Sequence, residues 1–156
     1  TTIANSLGNE LSKKNIAYFI LDGDSLRKTI NQDLSFTEED RIENNRRVAY
    51  IASFMSQAGI IPIVATVSPS NSSRDFARSL FLNNEFVEVF LDVPLEVCIE
   101  RDVKGLYKSK NKKKIKNISG IHQKYETPKD PEIILKTETI SVDQAKNKIL
   151  KYINLN

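Results

Sequence analysis

The chain of 156 residues holds one cysteine, one histidine, five glycines and five prolines, and its formal charge is only +3. A solitary Cys98 excludes an intramolecular disulfide framework and fits a reducing, cytoplasmic setting. Scarce glycine and proline, beside an ordinary apolar fraction of 40%, argue against disorder over most of the length. No stretch approaches the ~18 apolar residues that a membrane span needs, and no secretory signal is recognisable. So small a net charge implies no general affinity for polyanions, and the placement of charge matters more than its sum. The expectation is one soluble, cytoplasmic domain with a real core and with neither membrane nor nucleic acid as partner.

What is present is an alternation of short apolar runs and helical periods. Ile3, Leu7 and Leu11 recur four apart and predict an amphipathic helix over 2–14, followed by a strand over 16–21. A second helix over 38–58 is opened by Ser35-x-x-Glu38 or Thr37-x-x-Asp40 and closed by Gly59, with Tyr50, Phe54 and Met55 expected on its buried side. Further strands are predicted over 60–65, 85–91 and 132–136, and further helices over 72–81, 94–102 and 141–153. Such alternation implies a parallel sheet with helices on both faces. One segment breaks it: 103–131 lacks a strong apolar period and carries seven lysines between Lys104 and Lys116. A connection this long in a compact domain is usually functional or disordered, and it reads either as a solvated basic loop or as a lid over a polyanionic ligand.

Charge is concentrated where strands end. The run Leu21-Asp22-Gly23-Asp24-Ser25-Leu26-Arg27 closes an apolar strand with two carboxylates and an arginine. In an open α/β sheet the carboxyl ends of the strands form the ligand crevice, although Asp24 or Ser25 could equally cap a following helix. Polar clusters at Asp40–Arg47, Ser68–Arg78 and Arg101–Lys108 fall after other strands or on the helices that follow them. Acids, several arginines and a lysine-rich segment around one crevice are the inventory for phosphoryl transfer, which needs cations to spread negative charge and a carboxylate to hold Mg²⁺ or accept a proton.

The ordered set Asp22-Gly23-Asp24-Ser25-Leu26-Arg27, Asp40-Arg41-Ile42-Glu43-Asn44-Asn45-Arg46-Arg47, Val67-Ser68-Pro69, Phe90-Leu91-Asp92-Val93-Pro94-Leu95-Glu96, Lys104-Gly105-Leu106-Tyr107-Lys108 and Ser119-Gly120-Ile121 resembles the adenylylsulfate kinase family. The resemblance is collinear over nearly the whole chain. It implies a P-loop NTPase-like three-layer α/β sandwich with a lysine-rich lid, which moves the γ-phosphate of ATP to the ribose 3′-hydroxyl of adenosine 5′-phosphosulfate, uses Mg²⁺ and usually forms a homodimer. By resemblance Asp24, with Asp22 beside it, accepts the hydroxyl proton or organises the metal. Arg27 and Arg41 hold the 5′ phosphate group, Asn44 contacts the nucleotide, Phe36 stacks on its base, and Val67 and Ser68 line the same pocket. Ser68 also matches a serine proposed in the family to carry a phosphoryl group, a step that direct in-line transfer does not require. Lys104 and Lys108 neutralise phosphates, and Arg101 and Thr137 approach the ATP adenine.

Two departures qualify the resemblance. Thr1 and Thr2 align with the positions directly after the lysine of a Gly-rich phosphate-binding loop, where Thr1 offers a hydroxyl on the Mg²⁺ side. The family's first strand, its glycines and that lysine are not within residues 1–156 and are expected upstream of Thr1. In the second departure Ile118 replaces a phenylalanine that sandwiches adenine against Phe36, and His122 replaces an aspartate. Stacking on an aromatic face contributes roughly 1 to 3 kcal/mol per base, so a pyrimidine acceptor such as cytidine diphosphoramidate, in capsule synthesis, stays open beside the adenine one. Rival readings of other classes are a non-catalytic kinase homologue and a nucleic-acid module built on the lysine cluster, although that cluster lacks interleaved aromatics apart from Tyr107.

Overall fold

The computed structural model describes residues 1–82, 84–101 and 125–155. The expected lid over 103–131, including Lys104, Lys108, Ile118 and His122, lies outside the described residues up to position 124.

Helix α1 (Thr2–Lys13) leads into strand β1 (Tyr18–Asp22), as the four-residue apolar period predicts. The strand starts later than its apolar run because Asn15 turns the chain with φ 55° and the Ile16 amide still bonds to the Leu11 carbonyl. Helix α2 (Gly23–Arg27) follows at once; the sequence offered it only as the helix that Asp24 or Ser25 would cap, since five residues opened by a glycine carry no period. Helix α3 (Glu38–Gln57) is opened by Thr37, whose hydroxyl accepts from the Asp40 amide at 3.2 Å, so the second of the two capping patterns is the one used. Gly59 ends it at φ 76°, a backbone region costly for other residues.

Strand β2 (Ile61–Ala65), helix α4 (Asn71–Ser79), strand β3 (Val89–Asp92), helix α5 (Leu95–Arg101), strand β4 (Ile133–Lys136) and helix α6 (Val142–Tyr152) complete the order. Strand β3 is shorter than the run over 85–91 suggests, because a turn through Asn84, at φ 74°, occupies its start. The sheet expected as one piece is described as two parallel pairs, β1–β2 and β3–β4. Asp22 stands opposite Ala65 in the first and Asp92 opposite Lys136 in the second.

Helices cover both faces. Leu7 and Leu11 of α1 pack with Ala145, Ile149 and Leu150 of α6 over Ile133 and Leu135 of β4. Gly8 lets α1 press onto β1, since a Cβ there would stand 2.5 Å from the Tyr18 ring. On the opposite face Val48 and Ala52 of α3 pack on Leu21. The expectation for the aromatic side of α3 needs correction: Met55 packs inward, but Phe54 is 65% exposed and Tyr50 lies at the surface edge-on to Phe76. Alanines at 49 and 52 allow the close approach that larger side chains would prevent. Among the described residues no helix is long and apolar enough to cross a membrane.

Leu135 is fully buried between the helix pair and its strand neighbours. Leu135→Ala should lower the unfolding free energy by about 2–5 kcal/mol in urea titration, through lost transfer energy and a residual cavity.

Candidate active site

Both strand pairs deliver their carboxyl ends to one crevice of about 2740 Å³. It is lined by β2 and β3 along their length, whereas β1 and β4 touch it only at Asp22 and at the residues flanking β4. The volume exceeds the ~300–1,000 Å³ of an ordinary ligand pocket because the strand-end site continues into an apolar cleft beside Ile61, Ile63, Val87 and Val89.

Asp22 occupies the rim. Its Oδ1 accepts from the amides of Asp24 and Ser25 at 3.1 and 3.2 Å, so Asp22 itself is the cap of α2, a role expected of Asp24 or Ser25. Its Oδ2 accepts the Thr1 hydroxyl at 2.5 Å, which draws the start of α1 to the end of β1. Asp24, in the first turn of α2, also lines the crevice. Thr1 and Asp22 present a hard, all-oxygen pair of the kind Mg²⁺ takes when phosphates and waters supply its other positions. Among the described residues no group of three acidic, histidine or cysteine side chains could hold a metal by itself.

Two guanidinium groups converge beside these acids. Arg27 donates to the Ser35 carbonyl at 2.6 Å and lies 4.5 Å from the Phe36 ring centre; Arg41 donates to the Phe36 carbonyl at 3.3 Å and lies 5.5 Å from the same ring. Burial pushes both guanidinium pKa values down, and for Arg41 the like charge of Arg27 adds to the effect. An anion placed between them would relieve that repulsion. The loop carrying Phe36 is held by Asp40, whose carboxylate accepts from both the Ser35 amide and the Ser35 hydroxyl, and those bonds keep it below the usual carboxylate range. Asn44, on the first turns of α3, is 4% exposed and faces the same space.

After β2, Ser68 adopts φ 43°, a left-handed conformation that a serine holds only when its surroundings enforce it. Thr66 and Ser68 hydroxyls are 2.9 Å apart, and the Ser68 carbonyl accepts from Arg74. Arg74 is 8% exposed and also donates to the Asn71 side chain and to the Glu126 carbonyl, with Glu88 paired to its Nε at 3.0 Å. Glu88 is shared with Arg78, which clasps Glu132 at 2.6 and 3.0 Å. Burial is the largest single influence on the Glu132 carboxyl and acts to raise its pKa, but the Arg78 hydrogen bonds and charge together with the Glu88 and Glu132 amides outweigh it and hold the carboxyl low. Arg101 donates to the Thr137 carbonyl at 2.9 Å, so these two meet, and both line the crevice.

Thus Thr1, Thr2, Asp22, Asp24, Arg27, Phe36, Arg41, Asn44, Val67, Ser68, Arg101 and Thr137 all line one crevice. Lys104, Lys108, Ile118 and His122 lie outside the described residues. Sequence reasoning missed Arg74 as the support of the Ser68 turn and Asn31 as a buried polar residue behind Asn44. An available signal for the first was Glu88, set between Val87 and Val89 just ahead of β3, together with arginines spaced four apart at 74 and 78.

An α/β fold that gathers acids, guanidinium groups and hydroxyls at its strand ends defines a phosphotransferase of the nucleotide-kinase class. The chain belongs to the adenylylsulphate kinase family, whose model matches residues 1–136. It is 44% identical over 153 residues to the probable adenylyl-sulfate kinase of Halalkalibacterium halodurans, covering 98% of this chain and 74% of that protein. Identity to the adenylyl-sulfate kinase of Acaryochloris marina is 40% over 153 residues, 98% of this chain and 75% of that one. The structure of the Mycobacterium tuberculosis APS kinase CysC in complex with AMPPNP and APS superposes with a TM-score of 0.91 at 34% identity, covering 97% of this chain and 88% of that chain. The three-layer P-loop NTPase-like arrangement expected from the resemblance is therefore the fold of this chain.

Two outcomes follow from the ion pairs. Arg74→Leu removes one of the two guanidinium partners of Glu88 and the donors to the Ser68 and Glu126 carbonyls, leaving the carboxylate to Arg78 alone, and urea denaturation should show a loss of about 1–3 kcal/mol. Glu43, bonded to Arg46 and Arg47, has its pKa lowered from 4.5 to about 2. A depressed carboxyl stabilises the fold above its unfolded pKa and ceases to do so as pH falls through the folded one. The melting-temperature gap between wild type and Glu43→Gln should accordingly be full above about pH 4.5 and vanish towards about pH 2. With 31% of the Glu43 side chain exposed, screening keeps that gap small.

Proposed function

We propose that this chain transfers the γ-phosphate of ATP to the ribose 3′-hydroxyl of adenosine 5′-phosphosulfate, giving 3′-phosphoadenylyl sulfate and ADP. The observation that carries the reading is the single crevice in which the Asp22–Asp24 rim, the Arg27–Phe36–Arg41 cluster and the Ser68 turn meet. Relatives named adenylyl-sulfate kinase support the adenine acceptor over cytidine diphosphoramidate, over a nucleic-acid module and over a non-catalytic homologue.

The reaction forms a bond between the 3′ oxygen and the γ-phosphorus, breaks the bond from that phosphorus to the β,γ-bridging oxygen, and moves the hydroxyl proton to a carboxylate. Asp24 is that acceptor. Asp22 has one oxygen committed to the α2 amides and the other to Thr1, which suits it to the ATP side of the site. Mg²⁺, bound with ATP, would spread charge over the phosphates, and Thr1 with Asp22 would hold it, Asp24 lying close by. Arg27 and Arg41 take the phosphosulfate, Phe36 the base, and Asn44, Val67 and Ser68 shape the pocket. Thr2 faces the ATP phosphates, while Arg101 and Thr137 flank its adenine. Among the described residues the edges of β2 and β3 that line the cleft have no strand partner, which supports residues 1–156 being one kinase domain that shares the family's first strand and Gly-rich loop upstream of Thr1. Lys104, Lys108, Ile118 and His122 are assigned to a lid and acceptor contacts on resemblance alone, as is a homodimer. A cytoplasmic setting suits the ATP donor and the lone Cys98.

Steady-state assays of the full-length protein with ATP, Mg²⁺ and adenosine 5′-phosphosulfate should show saturable ADP release and a 3′-phosphorylated product. Asp24→Asn should lower kcat by about 10²-fold or more with little change in either KM, as loss of a general base does. Turnover of a cytidine acceptor at a much higher kcat/KM would overturn the adenine assignment.

A further inference from the structure

Behind the crevice stands a chain of side chains with a defined polarity. Asn31 is completely buried and does not line the crevice. Its Nδ2 donates to Asn44 Oδ1 at 3.0 Å. Its Oδ1 faces Arg47 Nη1 at 3.5 Å, and Arg47 is itself fixed by Asp33 at 2.8 Å through both terminal nitrogens and by Glu43 at 2.8 Å. An arginine can only donate. The oxygen of Asn31 must therefore turn towards Arg47, its NH₂ towards Asn44, and the oxygen of Asn44 back towards Asn31. Among the described residues Asn44 has no other side-chain hydrogen bond, so its NH₂ is the group left facing the crevice.

We propose that Asn31 is a positioning residue that sets the amide orientation of Asn44, so that the acceptor nucleotide meets N–H donors and never the Asn44 carbonyl. This rests on the acceptor site assigned above. A free asparagine presents either end by rotating its amide; here the Asp33–Arg47–Asn31 chain selects one before the ligand arrives. The site thereby favours an atom with lone pairs, such as a ring nitrogen, a carbonyl or an anionic oxygen of the nucleotide, and rejects an exocyclic amine at the same position.

Asn31→Asp tests the relay with no change in side-chain size. An acceptor-only carboxylate between Arg47 and Asn44 forces the Asn44 NH₂ to turn inward and its carbonyl to face the ligand. The KM for adenosine 5′-phosphosulfate should rise about tenfold, the effect of one hydrogen bond, while the KM for ATP and kcat stay within about twofold. Adding Asn44→Ala to Asn31→Asp should cost little further, although Asn44→Ala alone raises KM by a similar factor. Side-chain amide NMR reads the same event without turnover: the Asn44 NH₂ protons exchange with solvent faster in wild type than in the variant. If Asn31→Asp does not fold, Asn31→Ser leaves Asn44 able to take either orientation, and a KM rise of about threefold is expected. An unchanged acceptor KM in either variant, simple additivity, or unaltered amide exchange overturns the relay. Absence of turnover by wild type, with amide exchange altered as described, overturns the acceptor assignment and leaves the relay standing.

Discussion

Parallel pairing of β1 with β2, in the register that sets Asp22 against Ala65, determines where the chemistry can be. Because both strands run the same way, the acidic turn after β1 and the Thr66–Ser68 turn after β2 leave from one edge. Side chains alternate along a strand, so a slip of one residue would send Leu21 away from Val48 and turn Asp22 onto the opposite face. Helix α1 reinforces the register through Leu7, Leu11 and the close approach at Gly8. The β3–β4 pair repeats the arrangement, with Asp92 beside Lys136 at the corresponding edge.

Around that edge, charge is arranged in two manners. Arg74, Arg78, Glu88 and Glu132 neutralise one another within the fold and hold a strained serine turn in place. Arg27 and Arg41 are instead set beside one ring on the wall of the crevice, each donating to a backbone carbonyl of the Ser35–Phe36 loop. The first group is structural because its partners are built in. The second suits binding because both guanidinium groups line the crevice, within reach of a guest anion.

Most elements were legible in the sequence because their apolar periods were long: α1, α3 and α6 follow the expected ranges closely. Helix α2 was legible only as a helix for Asp24 or Ser25 to cap, since a five-residue turn has no period to read and depends on the Asp22 carboxylate for its start. The division of the sheet into two pairs was invisible, because strand order is a tertiary property. For the site, the acids and arginines were legible as strand-end clusters and then as a family motif. Asn31 and Arg74 were not. Their roles come from what lies within hydrogen-bond reach in space, 13 positions away in one case and 52 in the other.

Asp22 shows how readiness is built into the rim. Its carboxylate could spin freely on an exposed loop, and a ligand would then have to arrest that motion on arrival. Here one oxygen is held by two amides and the other by Thr1. The loss of rotational freedom is incurred during folding, so less of a ligand's binding energy is consumed in ordering the protein. The rim therefore meets each incoming nucleotide with its geometry already chosen, at the expense of stability rather than of affinity.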